Sequence, residues 1–187
     1  MDILQTDRLL LRPWRDSDAE ALYRYASDPE VGPLAGWAPH SGVEESLEII
    51  RTLFRSDHIW AIEWRATGEP IGCIGYYTHT ESNIGIGADE AEAGYWVARP
   101  YWNQGIATEA LREVTEYCFG VKGFRTLWAD CFPHNVASRR VMEKCGFVDT
   151  GRVNRLSHLQ VGADMEVRIM KLSRREEQKR QDKQPET

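Results

Sequence analysis

The sequence predicts a single α/β domain in which seven strands and about four helices follow one another in the order β-α-α-β-β-β-α-β-α-β-β. The length of 187 residues suits one domain. Hydrophobic residues make up 42% of the chain and charged residues 28%, which is the composition of a chain that buries a core. Short apolar runs bounded by turn residues alternate with segments of helical periodicity, and this alternation gives the order.

The first half of the chain is predicted to hold one strand, two helices and a hairpin. Leu9–Leu11 form a short apolar run that Pro13 ends. Residues 17–20 and 41–44 each have the Ser-x-x-Glu spacing of a capping box, so each predicts the start of a helix. Residues 60–77 contain two apolar runs around a Thr-Gly-Glu-Pro turn, and they predict an antiparallel hairpin.

The second half is predicted to hold four more strands and two helices. Residues 78–91 form a Gly-rich, acidic loop that leads to a strand at 93–97, and a helix is predicted from about Thr108 to Phe119. Asn135 is predicted to cap the next helix and Gly146 to end it. The three remaining strands are predicted at residues 126–131, 147–153 and 165–172.

Charge and hydropathy exclude several classes of protein. The net charge of -6 disfavours a nucleic-acid-binding protein, which needs a basic face. The longest uncharged stretch has 13 residues, whereas a membrane span needs about 20 apolar ones. The N-terminus lacks the pattern of a secretory signal, and the four scattered cysteines form no Cys-x-x-Cys pair. We therefore expect a cytoplasmic protein with reduced thiols and with no membrane span, nucleic-acid partner or metal site.

Residues 173–187 differ in composition from the rest of the chain. They carry no apolar side chain, so burial cannot offset the entropy of ordering them. We expect a folded domain over residues 1–172 and a polar, disordered tail over residues 173–187. The tail has five basic and four acidic residues, which leaves a net charge of -7 on the domain.

Residues 97–110 predict a strand, a turn of small residues and the start of a helix. The first N–H groups of a helix have no intrahelical acceptor and lie at the positive end of the helix dipole, so such a turn can hold an anion. Gly105 and Ala107 would let a diphosphate approach the backbone. The same residues suit an ordinary tight connection equally well. The chain has neither a P-loop nor a G-x-G-x-x-G motif after a strand.

Three separated segments match the order and spacing of a known family. They are 5–13, with the sequence QTDRLLLRP, 94–110, with GYWV and WNQGIATEA, and 135–147, which begins NVAS and ends GF. They resemble the GNAT acetyltransferases, in the ribosomal-protein N-acetyltransferase (RimJ/RimL-type) branch. The resemblance covers about residues 3–172 and implies a mixed, mostly antiparallel sheet that splays between the fourth and fifth strands. It also implies an enzyme that transfers an acetyl group from acetyl-CoA to a primary amine by direct attack in a ternary complex.

The resemblance implies that the co-substrate acetyl-CoA lies in the gap between the strands at 93–97 and 126–131. Its pantetheine arm would pair with the backbone of Trp96 and Val97, and a backbone N–H near Val97 would stabilise the oxyanion. Asn135 and Ser138 would meet the same arm from the next helix. The diphosphate would be held by the amides of Asn103, Gln104, Gly105, Ile106, Ala107 and Thr108.

Two positions depart from the family pattern. Trp102 stands where the phosphate motif often begins with Gln or Arg, so one contact to the diphosphate is missing there. Met142 stands where many relatives carry the Tyr that protonates the departing thiolate. Ser138 is the hydroxyl that remains near the sulfur and is our candidate acid, although a Ser at a helix start can simply bond to its own backbone. A thiol with a pKa of about 8.5 could also leave without an acid.

Three carboxylates are candidates for the base that takes the proton of the amine. Glu92 is the first, because it precedes the Gly-Tyr pair at a position that is often acidic in the family, and it would also contact the acceptor. Asp130 is the second, because an unpaired carboxylate in an otherwise apolar strand is costly. Glu166 on the last strand is the third. Each could instead be a solvated or Arg-paired side chain.

Trp14 and Trp37 are candidates for the acceptor site. In the family the first helices and their loop form the wall of that site, and residues 31–40 have the Pro/Gly composition of a binding loop. Either Trp could instead be a buried anchor. The resemblance favours a protein N-terminal α-amine as acceptor. A small amine, such as an antibiotic or a polyamine, and a non-catalytic CoA-binding module are the alternatives, and a monomer and a homodimer both remain open.

Overall fold

The computed structural model describes residues 1–158 and 163–175. Over these ranges the chain forms eight strands and five α-helices in one α/β domain. The strands are β1 (Leu4–Gln5), β2 (Leu9–Arg12), β3 (Ile59–Trp64), β4 (Glu69–Tyr77), β5 (Glu90–Val97), β6 (Thr126–Cys131), β7 (Val148–His158) and β8 (Ala163–Ser173). The helices are α1 (Ala19–Ala26), α2 (Gly32–Ala35), α3 (Val43–Thr52), α4 (Ile106–Gly120) and α5 (Val136–Cys145).

One mixed sheet with the order β1-β2-β3-β4-β5-β6-β8-β7 forms the centre of the domain. Every neighbouring pair is antiparallel except β5 and β6, which are parallel. The predicted fold class is confirmed. The short strand β1 was not predicted, so the splay expected between the fourth and fifth strands lies between the fifth and sixth.

Helices cover both faces of the sheet. The apolar side of α4, including Leu111 and Val114, packs on the face that carries Leu11 and Ile62, and α5 joins this cluster through Met142. On the opposite face α1 and α3 form a second cluster. The sheet is therefore a middle layer, which is how an α/β domain buries both faces of its strands.

Two predicted capping boxes are wrong in detail. Residue 17 lies in a 3-10 turn, and α1 begins at Ala19 without a side-chain cap. The reason is Asp18, whose carboxylate accepts from the Arg15 amide at 2.8 Å and pairs with the buried Arg12 at 2.7 Å, and a charge-assisted pair outcompetes a hydroxyl cap. At the second box Ser41 donates to Glu45 instead of the predicted glutamate, and Gly42 precedes α3.

Other boundaries shift in ways that affect the site. Helix α2 lies inside the predicted binding loop, α4 begins two residues before the expected Thr108, and β5 begins at Glu90, inside the predicted loop. Asn135 does cap α5, and Gly146 ends it with a φ of 96°. Ser173 is the last residue of β8, and the predicted tail beyond residue 175 lies outside the described residues. In the described part of the chain, none of the helices combines the length and apolar character needed to cross a membrane.

Candidate active site

A gap opens in the middle of the sheet where β5 and β6 part. The two parallel strands pair only at their beginnings, as far as Glu92 and Trp128. Beyond this point β5 continues to Val97 along β4, and β6 continues to Cys131 along β8. Over these last residues the facing edges of β5 and β6 have no strand partner in the described ranges, so an extended ligand can pair there.

Val97 offers the backbone groups on the gap edge of β5. The Trp96 carbonyl lies against Gly72 of β4, so close that a Cβ on this glycine would clash with it. Because backbone groups alternate between the two edges of a strand, those of Val97 point into the gap. The Val97 carbonyl accepts a hydrogen bond from the Trp102 indole N–H at 2.6 Å. Trp102 stands where the family often has Gln or Arg, and its hydrogen bond fixes the backbone at the gap edge of β5.

The turn between β5 and α4 presents a row of unpaired amides. Asn103 has a φ of 60° and Gly105 a φ of 78°, so both adopt the left-handed conformation, and α4 begins directly afterwards at Ile106. Among the described residues, no hydrogen bond of full geometry runs from the N–H groups of residues 103–108 to a protein acceptor. Consecutive free amides at the positive end of a helix form an anion site.

Helix α5 meets the gap through a short hydrogen-bond network. Asn135 Oδ1 accepts from the Ser138 amide, and Asn135 Nδ2 donates to the Leu34 carbonyl, each at 3.0 Å. The Tyr95 hydroxyl lies 3.0 Å from both the Oγ and the carbonyl oxygen of Ser138. Met142 is fully buried in the core. The network thus joins Ser138 to β5 and joins the loop around α2 to α5.

Glu92 and Asp130 lie on one face of the sheet beside the gap. Glu92 is opposite Trp128 on β6, and Asp130 is two residues further along the same strand, so the two carboxylates share a face. Glu92 is only 9% exposed and lies in β5, one residue before the predicted start of that strand at residue 93, so it is not a solvated loop charge. Its place within the strand is what withdraws this carboxylate from water.

Burial raises the pKa of both carboxyl groups. The pKa of Glu92 is raised by desolvation, against hydrogen bonds from the Ser82 side chain and the Asn83 amide. Desolvation, and then the charge of Glu92, raise the pKa of Asp130 to about 7. In the described part of the chain, no Lys or Arg contributes to either shift. Asp130 is therefore suited to take up a proton near neutral pH, and the pKa of Glu92 is shifted in the same direction.

The third predicted base, Glu166, is not brought to these carboxylates. Ile169 is the β8 partner of Asp130, so period-two alternation places Glu166 on the opposite face. The Glu166 carboxylate is 56% exposed and lies 3.5 Å from the Arg155 guanidinium. It corresponds to the exposed, Arg-paired alternative.

The predicted acceptor tryptophans lie on the same face as Glu92. Trp37 packs edge-on against Trp96 with ring centroids 5.8 Å apart, and Trp14 stacks on Phe54 at 5.0 Å. Trp14 also lies beside the Cys73 thiol, and Cys73 is the β4 partner of Trp96. Both side chains therefore pack with the cluster of α1 and α3 on the sheet face that carries Glu92.

Sequence reasoning missed two tyrosines. Tyr77 is the β4 partner of Glu92, and its ring lies 3.2 Å from the position that a Cβ would take on Gly94. Burial raises the pKa of Tyr77, and the charges of Glu92 and Asp130 add to that shift. Tyr95, the other one, reaches Ser138. The alternation of side chains along β4 and β5 could have placed both rings once the pairing register of these two strands was known.

Comparisons with known proteins agree with this geometry. The family model described as "Acetyltransferase (GNAT) domain" matches residues 8–148. The uncharacterized N-acetyltransferase YoaA of Bacillus subtilis is 34% identical over 154 residues, which are 80% of this chain and 84% of that protein.

Two solved structures share the fold. A GNAT-family acetyltransferase from Bacillus anthracis superposes with a TM-score of 0.79 at 22% identity, covering 92% of this chain and 98% of that one. RimJ of Mycobacterium smegmatis, in complex with CoA-disulfide, superposes with a TM-score of 0.73 at 27% identity, covering 94% and 88%. The ligand of the second structure is CoA-disulfide.

Proposed function

The chain belongs to the GNAT family of acetyl-CoA-dependent acetyltransferases, and from this premise we propose that it acetylates protein N-terminal α-amines by direct attack in a ternary complex. The observation that carries the proposal is the position of Glu92 and Asp130. Two desolvated carboxylates lie where β5 and β6 part, on the face of the sheet that would meet the acceptor. Among the described residues, no basic side chain shifts the pKa of either carboxylate. An ammonium acceptor brings both the positive charge and the proton that such a pair can take.

The residues around the gap fit acetyl-CoA. The free amides of residues 103–108 match the charge of a diphosphate. The gap-facing backbone of Val97 suits the amides of a pantetheine arm, and Asn135 and Ser138 lie across the gap on α5. Bound acetyl-CoA supplies the acetyl group as a thioester. The N–H of Val97 is the backbone donor available for negative charge on the acetyl oxygen.

The Glu92–Asp130 pair is proposed to remove the proton that keeps the acceptor from reacting. An α-ammonium has a pKa of about 8 and a lysine ammonium about 10.4. With an Asp130 pKa of about 7, proton transfer from an α-ammonium is uphill by about one unit, and from lysine by more than three. We propose Glu92 as the group that first accepts the proton, and Asp130, whose pKa is about 7, as the neighbouring carboxylate that can then take it up.

Ser138 is proposed to stabilise the departing thiolate by donating a hydrogen bond from its hydroxyl, since a thiolate with a thiol pKa of about 8.5 can leave without full protonation. Met142 cannot do so, because it has no proton to donate and is buried in the core. Tyr95 can hold the Ser138 hydroxyl in place, since burial raises the Tyr95 pKa and keeps the phenol neutral. Trp14, Trp37 and Trp96 form the apolar part of the acceptor wall in this proposal.

A competition between acceptors tests the proposal. Labelled acetyl-CoA is offered to a peptide with a free N-terminus and no lysine, to the same peptide with an acetylated N-terminus and one lysine, to a polyamine and to an aminoglycoside. We expect label on the first peptide only. Transfer to the polyamine or the aminoglycoside alone would replace the α-amine by a small amine. Acetyl-CoA binding without transfer to a broad set of amines would support the non-catalytic alternative.

A further inference from the structure

Arg8 reaches the turn at residues 103–108 from a distant part of the chain. Its Nη1 donates to the Gln104 carbonyl at 3.0 Å. Its Nη2 is the atom nearest to the position that a Cβ would take on Gly105, at 3.6 Å. The side chain is 41% exposed. The guanidinium therefore lies at the rim of the row of free amides and is open to solvent.

Several contacts hold this guanidinium in place. Glu109 Oε2 accepts from Arg8 Nε at 2.7 Å and lies 2.6 Å from Nη2. The Thr6 hydroxyl fixes the other oxygen of Glu109 at 2.5 Å, and the Trp64 ring lies 5.8 Å from the guanidinium carbon. These bonds occupy Nε–H and one N–H on each terminal nitrogen. One N–H on Nη1 and one on Nη2 remain, because a guanidinium has five.

The turn itself provides no positive side chain. Residues 102–108 contain no Lys or Arg, and Arg99 just before them is paired with Asp28 at 2.7 Å. We infer that Arg8 binds the diphosphate of acetyl-CoA through its two remaining N–H groups, and so supplies the charged contact that Trp102 cannot make. Planar guanidinium groups suit phosphate oxygens, and the anchoring by Glu109 lowers the entropy lost on binding. This inference rests on the proposed binding of acetyl-CoA at the turn.

A test of Arg8→Gln uses three thioesters that differ in the phosphate groups they carry. They are acetyl-CoA, acetyl-dephospho-CoA, which keeps only the diphosphate, and acetyl-pantetheine, which has neither phosphate. Loss of a charge-assisted hydrogen bond should raise the Kd for acetyl-CoA and acetyl-dephospho-CoA by about tenfold or more in calorimetry. The kcat/KM for acetyl-pantetheine should stay at the wild-type value. The salt dependence of acetyl-CoA binding should also become weaker.

Arg65→Gln is the matched control, because it removes the bonds of a neighbouring guanidinium to the Thr6 and Asp7 carbonyls and leaves the side-chain contacts of Arg8 in place. It should lower Tm without changing the Kd for acetyl-CoA. If Arg8→Gln only lowers Tm and binds acetyl-CoA like the wild type, Arg8 serves only to hold the N-terminal segment against α4, and the inference is wrong. A penalty that disappears with acetyl-dephospho-CoA would assign Arg8 to the 3′-phosphate and overturn the diphosphate contact.

The outcome for the wild type separates this inference from the proposed function. A wild-type protein that does not bind acetyl-CoA contradicts the proposed function, whereas an unchanged variant contradicts only the role of Arg8. If Arg8→Gln does not fold, Arg8→Lys is the second variant, because it keeps the positive charge but lacks the planar N–H groups of the guanidinium. We then expect a severalfold higher Kd for acetyl-dephospho-CoA, and a wild-type value would overturn the inference.

Discussion

The proposed acetyl-CoA half and the proposed acceptor half of the site are built in different ways. The first consists of backbone amides from one continuous segment, residues 103–108. The second collects side chains from three strands, among them Tyr77, Glu92 and Asp130. The first half therefore depends on local conformation and should tolerate most side-chain changes. The second depends on strand register and on individual oxygen atoms.

The electrostatics of the two halves are also opposite. The turn offers the positive end of α4 and the guanidinium of Arg8. The acceptor face holds two carboxylates whose pKa values are raised mainly by burial. In the proposed function, the amine and the anionic co-substrate therefore each meet a surface of opposite charge, and each half can be altered without the other.

The largest expected effect is on the backbone half. Gly105→Glu places a side chain where the backbone has a φ of 78°, and it adds a negative charge to the anion site. We expect acetyl-CoA binding to fall below detection in calorimetry while the variant stays folded. Gly68→Glu is the matched control, because Gly68 has a φ of 72° in the turn between β3 and β4, away from the gap. The control should bind normally, and a folded Gly105→Glu variant that binds acetyl-CoA would remove the anion site from the turn.

The next effect tests the side-chain half. Glu92→Gln should leave acetyl-CoA binding intact and lower kcat at pH 7 by about 100-fold, because the amine loses its base. The deficit should shrink toward pH 9, where an α-amine with a pKa of about 8 is mostly neutral, whereas a lysine amine is not. A pH–rate profile of the variant and the wild type measures both. Equal rates from pH 6 to 9 would show that Glu92 is not the base.

The difference between a continuous segment and side chains from several strands also explains what could be predicted from the sequence. The conformation of the turn before α4 could be predicted because Gly105, Ala107 and the following helix are adjacent in the chain, and the caps Asn135 and Gly146 could be predicted for the same reason. The fold class followed from the order of elements. The contact between Tyr95 and Ser138 was not found, because it joins residues 43 positions apart.

Position within the sheet accounts for the errors. The start of β5 was predicted at residue 93, after Glu92, because it depends on pairing with β4 and β6 and not on local pattern. Glu166 was ranked as a base because alternation on β8 alone does not say which face carries Asp130. Ser17 was taken as a cap because the buried pair between Asp18 and Arg12 cannot be seen in sequence.

A smaller effect is expected at the point where the two halves meet. Ser138→Ala should lower kcat about tenfold, since the departing thiolate loses a hydrogen-bond donor. Tm should change by no more than about 3 °C, because the Tyr95 hydroxyl can still donate to the Ser138 carbonyl oxygen. Thermal unfolding and steady-state kinetics give the two values. An unchanged kcat would return Ser138 to a structural role at the start of α5.

The smallest effect is on stability and concerns Asp130. Its pKa is raised in the folded state to about 7 from 3.8, so the folded protein is penalised as the pH rises through that interval. Asparagine does not ionise, and Asp130→Asn should therefore gain several degrees in Tm relative to the wild type between pH 4 and about 7, then no more. Asp149→Asn is the control of opposite sign. The Gly151 amide and Arg168 lower the pKa of Asp149, so its stabilising contribution is present above about pH 4 and is lost only in stronger acid. This variant should be less stable than the wild type at pH 8. If the difference in Tm between Asp130→Asn and the wild type does not change from pH 4 to 8, the pKa of Asp130 is not near neutral. Glu92 would then be the only remaining candidate base in the acceptor half.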